Sequence, residues 1–340
     1  MFTRFSFTLI VTACALSFAH AQTAAPTQTP RSTTPAQNTQ PTFDLAEYGV
    51  RLEPDQRLIV MMAALDAAGF DPTAAGKEPS AFRSLVRKDN ASLDPRLRER
   101  LKTFFERNKL PAPATTAQQA ARYVSLAYAL GPVPSLEPPE RSDDLPAGVL
   151  EVLDFAPLVR EYYQKSGVDE RLISYLRAYQ AEGDRIRKPA GEMVRAVLSY
   201  LHTRPITTTL ERVRVQSPDN KKNAKTATTI VEHERRFFIV PDLLATPGVI
   251  NFRIITDDYY AIVPEGTDPT SSELRRAYIQ YVMDALVLRN NKAIAGRREQ
   301  VKQLIDARTK EGATISPDVF VVVTRSLVAG AAARFEEASR

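Results

Sequence analysis

The chain has 340 residues, of which 44% are hydrophobic and 25% charged, and a formal charge of +5. That apolar content excludes a disordered chain, and about 300 residues of mature length can supply one large or two ordinary domains. Cys14 is the single cysteine, so beyond a cleaved leader no disulfide, thiolate nucleophile or Cys-ligated metal is expected. The arginine pairs at 235–236, 275–276 and 297–298 are scattered and not interleaved with aromatics, which argues against nucleic acid as a partner.

The chain opens as a secretory signal. Met1-Phe-Thr-Arg4 supplies a positive charge, residues 5–18 are mostly apolar, and Ala19-His-Ala21 offers small residues for cleavage. Residues 1–21 are therefore expected to be a signal peptide and the product exported, to the periplasm or outside the cell. Val11-Thr-Ala-Cys14 resembles a lipobox, so lipid anchoring at Cys14 is the alternative. No later stretch is long and apolar enough to span a bilayer. Residues 22–42 are mainly Thr, Pro, Gln and Ala with Arg31 as the one charge, the composition of a disordered linker.

Residues 43–204 read as a helical part. The expected helices are 58–68, stopped by Gly69, and 80–87. A third runs from the cap Asp94-Pro95 to Asn108, and a fourth is the Ala-rich 116–130, ended by Gly131-Pro132. A Pro-rich acidic loop covers 132–146. Three more helices are expected at 154–165, 169–182 and 189–203.

Residues 205–340 read as a sheet with a central helix and C-terminal helices. Strands are expected at 206–216 and 228–240, joined by the polar connection 217–225. A hairpin follows, from Gly248 to Thr256, turning at Asp257-Asp258 and returning over Tyr259 to Val263. Thr270-Ser-Ser-Glu273 has the form of a capping box. The helix after it repeats apolar residues at Leu274, Tyr278, Tyr281, Val282, Ala285 and Leu288, and Ile279, Met283, Leu286 and Val287 widen the stripe. It should be buried on most sides. A polar helix at 296–308 and a last one opened by Ser316-Pro317-Asp318 close the chain. The expected fold is α+β: a helical half, a small mostly antiparallel sheet on a buried central helix, and C-terminal helices, with 43–340 as one cooperative unit.

His233-Glu-Arg-Arg-Phe237 begins like the zinc-peptidase motif HExxH and fails at its fifth residue, within a strand. His202 closes a helix, where positive charge is favoured. No His lies near a Gly-flanked Ser, and no glycine-rich phosphate loop is present. Asp257-Asp258 are turn formers.

From about Leu45 to Phe335 the chain resembles a family of secreted bacterial gluzincin-like proteins of unassigned substrate. The similar segments are Leu58-Ile-Val-Met-Met-Ala-Ala-Leu-Asp-Ala-Ala-Gly-Phe70, Leu153-Asp-Phe-Ala-Pro-Leu-Val-Arg-Glu-Tyr-Tyr-Gln-Lys-Ser166, Asp242-Leu-Leu-Ala-Thr-Pro-Gly248 and Asn251-Phe-Arg253. The resemblance places Arg276-Ala-Tyr-Ile-Gln280 where intact members carry HExxH. Arg276 and Gln280 then stand at the two His positions and Ala277 at the Glu, so no catalytic role and no metal ligand carries over. Arginine, always protonated and without a free lone pair, cannot ligate zinc. It could pair with a carboxylate such as Asp284 or hold an anion, with Arg275 and Tyr260 as further groove partners; the alternative is that it faces solvent. The expectation is a non-catalytic binding or scaffold module without cofactor, for a protein, peptide or cell-envelope ligand. The alternative is a hydrolase of unrecognised type using carboxylates or an undetected metal in the same groove.

Overall fold

The computed structural model describes residues 44–142, 145–216 and 226–338. The expected leader, the linker and the connection 217–225 lie outside them. The described residues belong to one compact unit, Phe43–Arg340, and the fold is α+β.

A short strand, β1 (Val50–Leu52), precedes α1 (Gln56–Ala67), which Asp55 caps by accepting from the Arg57 and Leu58 amides. Leu58 through Leu65 are all 0–1% exposed, so α1 is apolar on every side and forms the axis of a first core. Around it pack α2 (Ala81–Asp89), α3 (Pro95–Arg107), α4 (Thr116–Ala129) and α6 (Ala156–Lys165); the one-turn α5 (Val149–Val152) sits before α6. Their caps are those the sequence offers: Asp94 before Pro95, and at Thr115 a capping box with Gln118.

The helices expected at 169–182 and 189–203 are one helix, α7 (Val168–Leu201), 34 residues and about 50 Å long. Gly183 and Pro189 lie inside it. Proline in a helix costs about 3 kcal/mol, and burial on both sides of the break offsets it. Val168, Leu172, Tyr175 and Tyr179 enter the first core, while Ile186, Ala190, Met193, Val194 and Val197 enter a second. Gly183 marks the crossing: a Cβ there would lie 3.0 Å from Leu52 and 3.6 Å from Pro241. The helix ends at His202 in a left-handed cap.

The run 228–240 is not one strand. β3 (Thr226–Glu234) pairs antiparallel with β2 (Thr208–Gln216) as a separate ribbon, and β4 (Phe237–Asp242) enters the main sheet. The main sheet is ordered β1–β4–β6–β5, where β5 is Asn251–Ile255 and β6 is Asp258–Pro264. The expected 248–263 hairpin is the antiparallel pair β5–β6. β6 inserts between β4 and β5 and pairs parallel to β4, which pairs parallel to β1. The main sheet is therefore mostly parallel, not mostly antiparallel. Val240 and Ile262 face the first core; Phe237, Ile239, Tyr259, Ala261 and Val263 face the second. Cover on both faces suits parallel pairing.

The second core is closed by α8 (Ser272–Arg289) and α11 (Val319–Ala338), with α9 (Asn291–Ala295) and α10 (Arg298–Lys310) between them in sequence. Ser271, not Thr270, caps α8, and its hydroxyl accepts from the Leu274 amide. Leu274, Tyr278, Tyr281, Val282 and Ala285 are buried as the period requires, but in the last turn Val287 is buried, at 4% exposure, and Leu288 is 61% exposed.

Asp242, at the carboxyl end of β4, is 1% exposed. Its Oδ1 accepts from the Tyr179 hydroxyl at 3.0 Å and the Leu244 amide at 2.9 Å. Burial pushes its carboxyl up to about 6, against the pull of those bonds and of Arg83. The folded chain thus takes up this proton near pH 6 and the unfolded chain near 3.8. The stability due to this group rises as pH falls through that window and is lost as pH rises through it, by about 3 kcal/mol in all. Asp242→Asn should remove that slope. Urea melts between pH 4 and pH 7 check it, and parallel curves for the two proteins would contradict the assignment.

Candidate functional site

The residues expected to form a groove on α8 do not converge. Arg276 is exposed, Gln280 is half-buried one turn on, and Ala277 turns inward at 8% exposure. Arg276 does not pair with Asp284. Asp284 accepts instead from the Tyr259 hydroxyl at 2.5 Å. Arg275 bonds Glu336 at 2.9 Å and lies over the Phe335 ring, which ties α8 to α11. Tyr260 points to the opposite face of the sheet. There it stacks on Phe238 at 4.8 Å and packs on Tyr128 at 4.2 Å. Arg236 lies over Phe238 at one end of this stack and Arg57 over Tyr128 at the other. Each guanidinium is held by a carboxylate, Arg236 by Asp258 and Arg57 by Asp55.

Among the described residues no three His, Cys, Asp or Glu side chains gather around a point where one ion could sit. Cavities of about 670 Å³ beside α3 and about 430 Å³ at the carboxyl ends of β4 and β6 take no residue from α8. With Arg276 and Gln280 outside any packed network, Arg276→Ala and Gln280→Ala should each change stability by no more than about 0.5 kcal/mol. Thermal melts check this, and a loss beyond about 2 kcal/mol would mean that a buried partner exists.

The feature that stands apart from the cores is the β2–β3 ribbon. Its nine rungs run from Thr208↔Glu234 to Gln216↔Thr226, about 30 Å of paired strand. Leu210 is 68% exposed, Ile230 61% and Val231 36%. Two strands without a core are marginal alone, so the ribbon depends on its root.

That root is Arg235, 3% exposed. Its amide donates to the Thr207 carbonyl at 2.7 Å, and its guanidinium donates to the carbonyls of Ile206 at 2.8 Å and Tyr281 at 3.3 Å. The Tyr281 hydroxyl returns a bond to the Arg235 carbonyl at 2.8 Å. The guanidinium lies 4.9 Å from the Tyr281 ring centre and 5.5 Å from that of Tyr259. Burial raises both phenols, Tyr281 to about 12, and Asp284 raises Tyr259 further. Both rings therefore stay neutral and present their faces to the cation. Arg236 turns the other way: its amide and guanidinium both reach Asp258. Two adjacent arginines on opposite faces end the ribbon and start β4, whose Phe237 amide bonds the Gly49 carbonyl at 2.7 Å. Gly49 is required there, because a Cβ would collide with the Tyr281 hydroxyl.

Asp284 thus belongs to the ribbon root, two steps from Arg235 through Tyr259. In sequence Arg235 counted only as one of several scattered pairs. The available signal was a charged pair interrupting a β-branched run. No family model, curated protein or solved structure matches the chain.

Among the described residues the two strands pair only with each other; a strand edge open in this way offers main-chain donors and acceptors to another strand, and the exposed Ile230 and Leu210 give that contact apolar area.

Proposed function

We propose that this chain is an exported, non-catalytic binding or scaffold module that engages a protein or peptide of the cell envelope through the β2–β3 ribbon. The observation that carries the reading is the exposure of Leu210 and Ile230, at 68% and 61%, on a ribbon of which no described side chain enters either core and which a buried arginine anchors. Order without burial is costly, and contact with a partner is what offsets it. On this reading the body is a degenerate gluzincin-like scaffold in which Arg276 and Gln280 stand where zinc ligands would. The exposure of Arg276 supports a position that no longer holds an ion.

A photo-crosslinking residue placed at 230, with one at the equally exposed position 288 as control, tests the reading in envelope extract. Discrete adducts are expected from 230 and not from 288. Adducts only from 288, or a hydrolase activity abolished by Asp284→Asn, would overturn it.

A further inference from the structure

A groove of about 670 Å³ runs along the outer face of α3. Arg96, Arg100, Thr103 and Arg107 line it at helical spacing, so they share one face of the helix. Its floor is apolar: Phe104 is half-buried and packs on Phe155 at 5.2 Å, and Leu158 joins it from α6. Three arginines of the lining stand against one carboxylate, Glu99. Glu99 accepts from the Thr103 hydroxyl at 3.4 Å, and Glu161 holds Arg100 at 2.7 Å while also meeting Lys165 at 2.8 Å. Arg96 and Arg107 are exposed, and among the described residues neither guanidinium has a carboxylate or hydrogen-bond partner. They lie about 16 Å apart along the helix axis, with the apolar floor between them.

We propose that this groove is a second docking surface, which takes an extended acidic peptide whose two carboxylates flank an apolar side chain. The charge balance of the lining, three arginines less Glu99, selects an anion. The two unpaired guanidiniums sit at opposite ends of the floor, so the anionic groups of the occupant must be separated and the part between them apolar. An extended chain meets both conditions. Alternate side chains share one face at about 3.3 Å per residue, so acidic residues four apart lie about 13 Å from each other with the residue midway pointing the same way. Arginine side chains span the remaining distance and meet a carboxylate through two parallel hydrogen bonds. An anionic lipid concentrates its charge at one end and leaves one of the two arginines unmet. The chain's own linker, residues 22–42, holds no carboxylate, so the occupant belongs to another molecule. The groove shares no residue with the β2–β3 ribbon or its root, so the proposal stands or falls independently of the ribbon.

Fluorescence anisotropy with a labelled peptide carrying Glu-Ser-Leu-Ser-Glu tests it on the full mature chain. Saturable binding is expected. A peptide of the same composition with the two Glu adjacent should bind at least about tenfold more weakly, since it reaches only one of the two arginines. Arg96→Gln and Arg107→Gln should each weaken the first peptide at least about tenfold. Both side chains are exposed and unpaired, so both variants should keep a cooperative melt. The double variant Arg96→Glu with Arg107→Glu should lose the acidic peptide and bind the one in which Lys replaces both Glu. The two peptide arrangements are compared on the wild-type chain, so the test does not depend on any variant folding. A wild-type chain that shows no saturable binding, that binds both arrangements equally, or that keeps its affinity in Arg96→Gln and Arg107→Gln would overturn the proposal. So would capture by phosphatidylglycerol vesicles in place of the peptide, which would make the groove a lipid-facing surface.

Discussion

Arg83→Ala should lower stability by about 3 to 5 kcal/mol, the scale for breaking a buried ion pair from one side. Arg83 Nη1 lies 2.8 Å from Asp66 Oδ1, with side-chain exposures of 4% and 2%. Its other terminal nitrogen donates to the Leu244 carbonyl, so one side chain joins α1, α2 and the turn after β4. Burial raises the Asp66 carboxyl, against the attraction of Arg83 and then Arg87. Removing Arg83 leaves Arg87, at 3.5 Å and 37% exposed, as the remaining cation on that carboxylate. The loss should shrink as pH falls, because a stranded Asp66 takes up a proton and sheds its charge. Arg83→Met combined with Asp66→Leu should recover most of the loss, since a packed apolar pair replaces a buried ionic one at little cost. Urea melts of the two single variants and the double one decide the matter. A loss under about 1 kcal/mol for Arg83→Ala would show that Asp66 is solvated in solution.

Where local signals agree with tertiary packing, the sequence was legible. Asp94-Pro95 and Thr115 set helix starts by side-chain caps, and the β5–β6 hairpin follows from two apolar runs around a two-Asp turn. The misses are non-local. Gly183 and Pro189 are local breakers, and only the existence of two cores, one on each half of α7, overrides them. β1 is three residues long and pairs with Phe237–Ile239, nearly two hundred residues away, so no pattern within a sequence window reveals it. The parallel register of β4 and β6 depends on β6 entering the sheet between two strands that precede it. For the site, burial on α8 was readable from its period, but the groove that joined Arg276, Tyr260 and Asp284 came from the resemblance, and no local pattern supports it. Alternation in β6 sends Tyr259 and Tyr260 to opposite faces. That separates Asp284, which holds Tyr259, from Tyr260.

Arg235→Met should cost about 3 kcal/mol and act mainly on the ribbon. Among the described residues no carboxylate touches the buried guanidinium; its charge is met by two carbonyls and two phenol faces, with Asp284 one hydroxyl further away. Methionine keeps the volume but leaves the Ile206 and Tyr281 carbonyls without their donor, and each buried carbonyl left unpaired costs about 1 to 3 kcal/mol. Lysine should not rescue it, because a point charge cannot reach both carbonyls and lie flat on Tyr281. Hydrogen exchange separates the ribbon from the body. Amides of 208–216 and 226–234 should exchange at least about tenfold faster in Arg235→Met, equivalent to about 1.4 kcal/mol of lost protection, while α1 amides keep their order of protection. Asp284→Asn should follow the same pattern more weakly, since the Tyr259 hydroxyl keeps an acceptor but the compensating charge is gone. Uniform loss of protection across both cores would make Arg235 a general core residue, and the ribbon would then be no separate unit. If only the ribbon loosens, its order is set at the root, and any partner that binds the ribbon must bind more weakly to Arg235→Met even though no contact residue has changed.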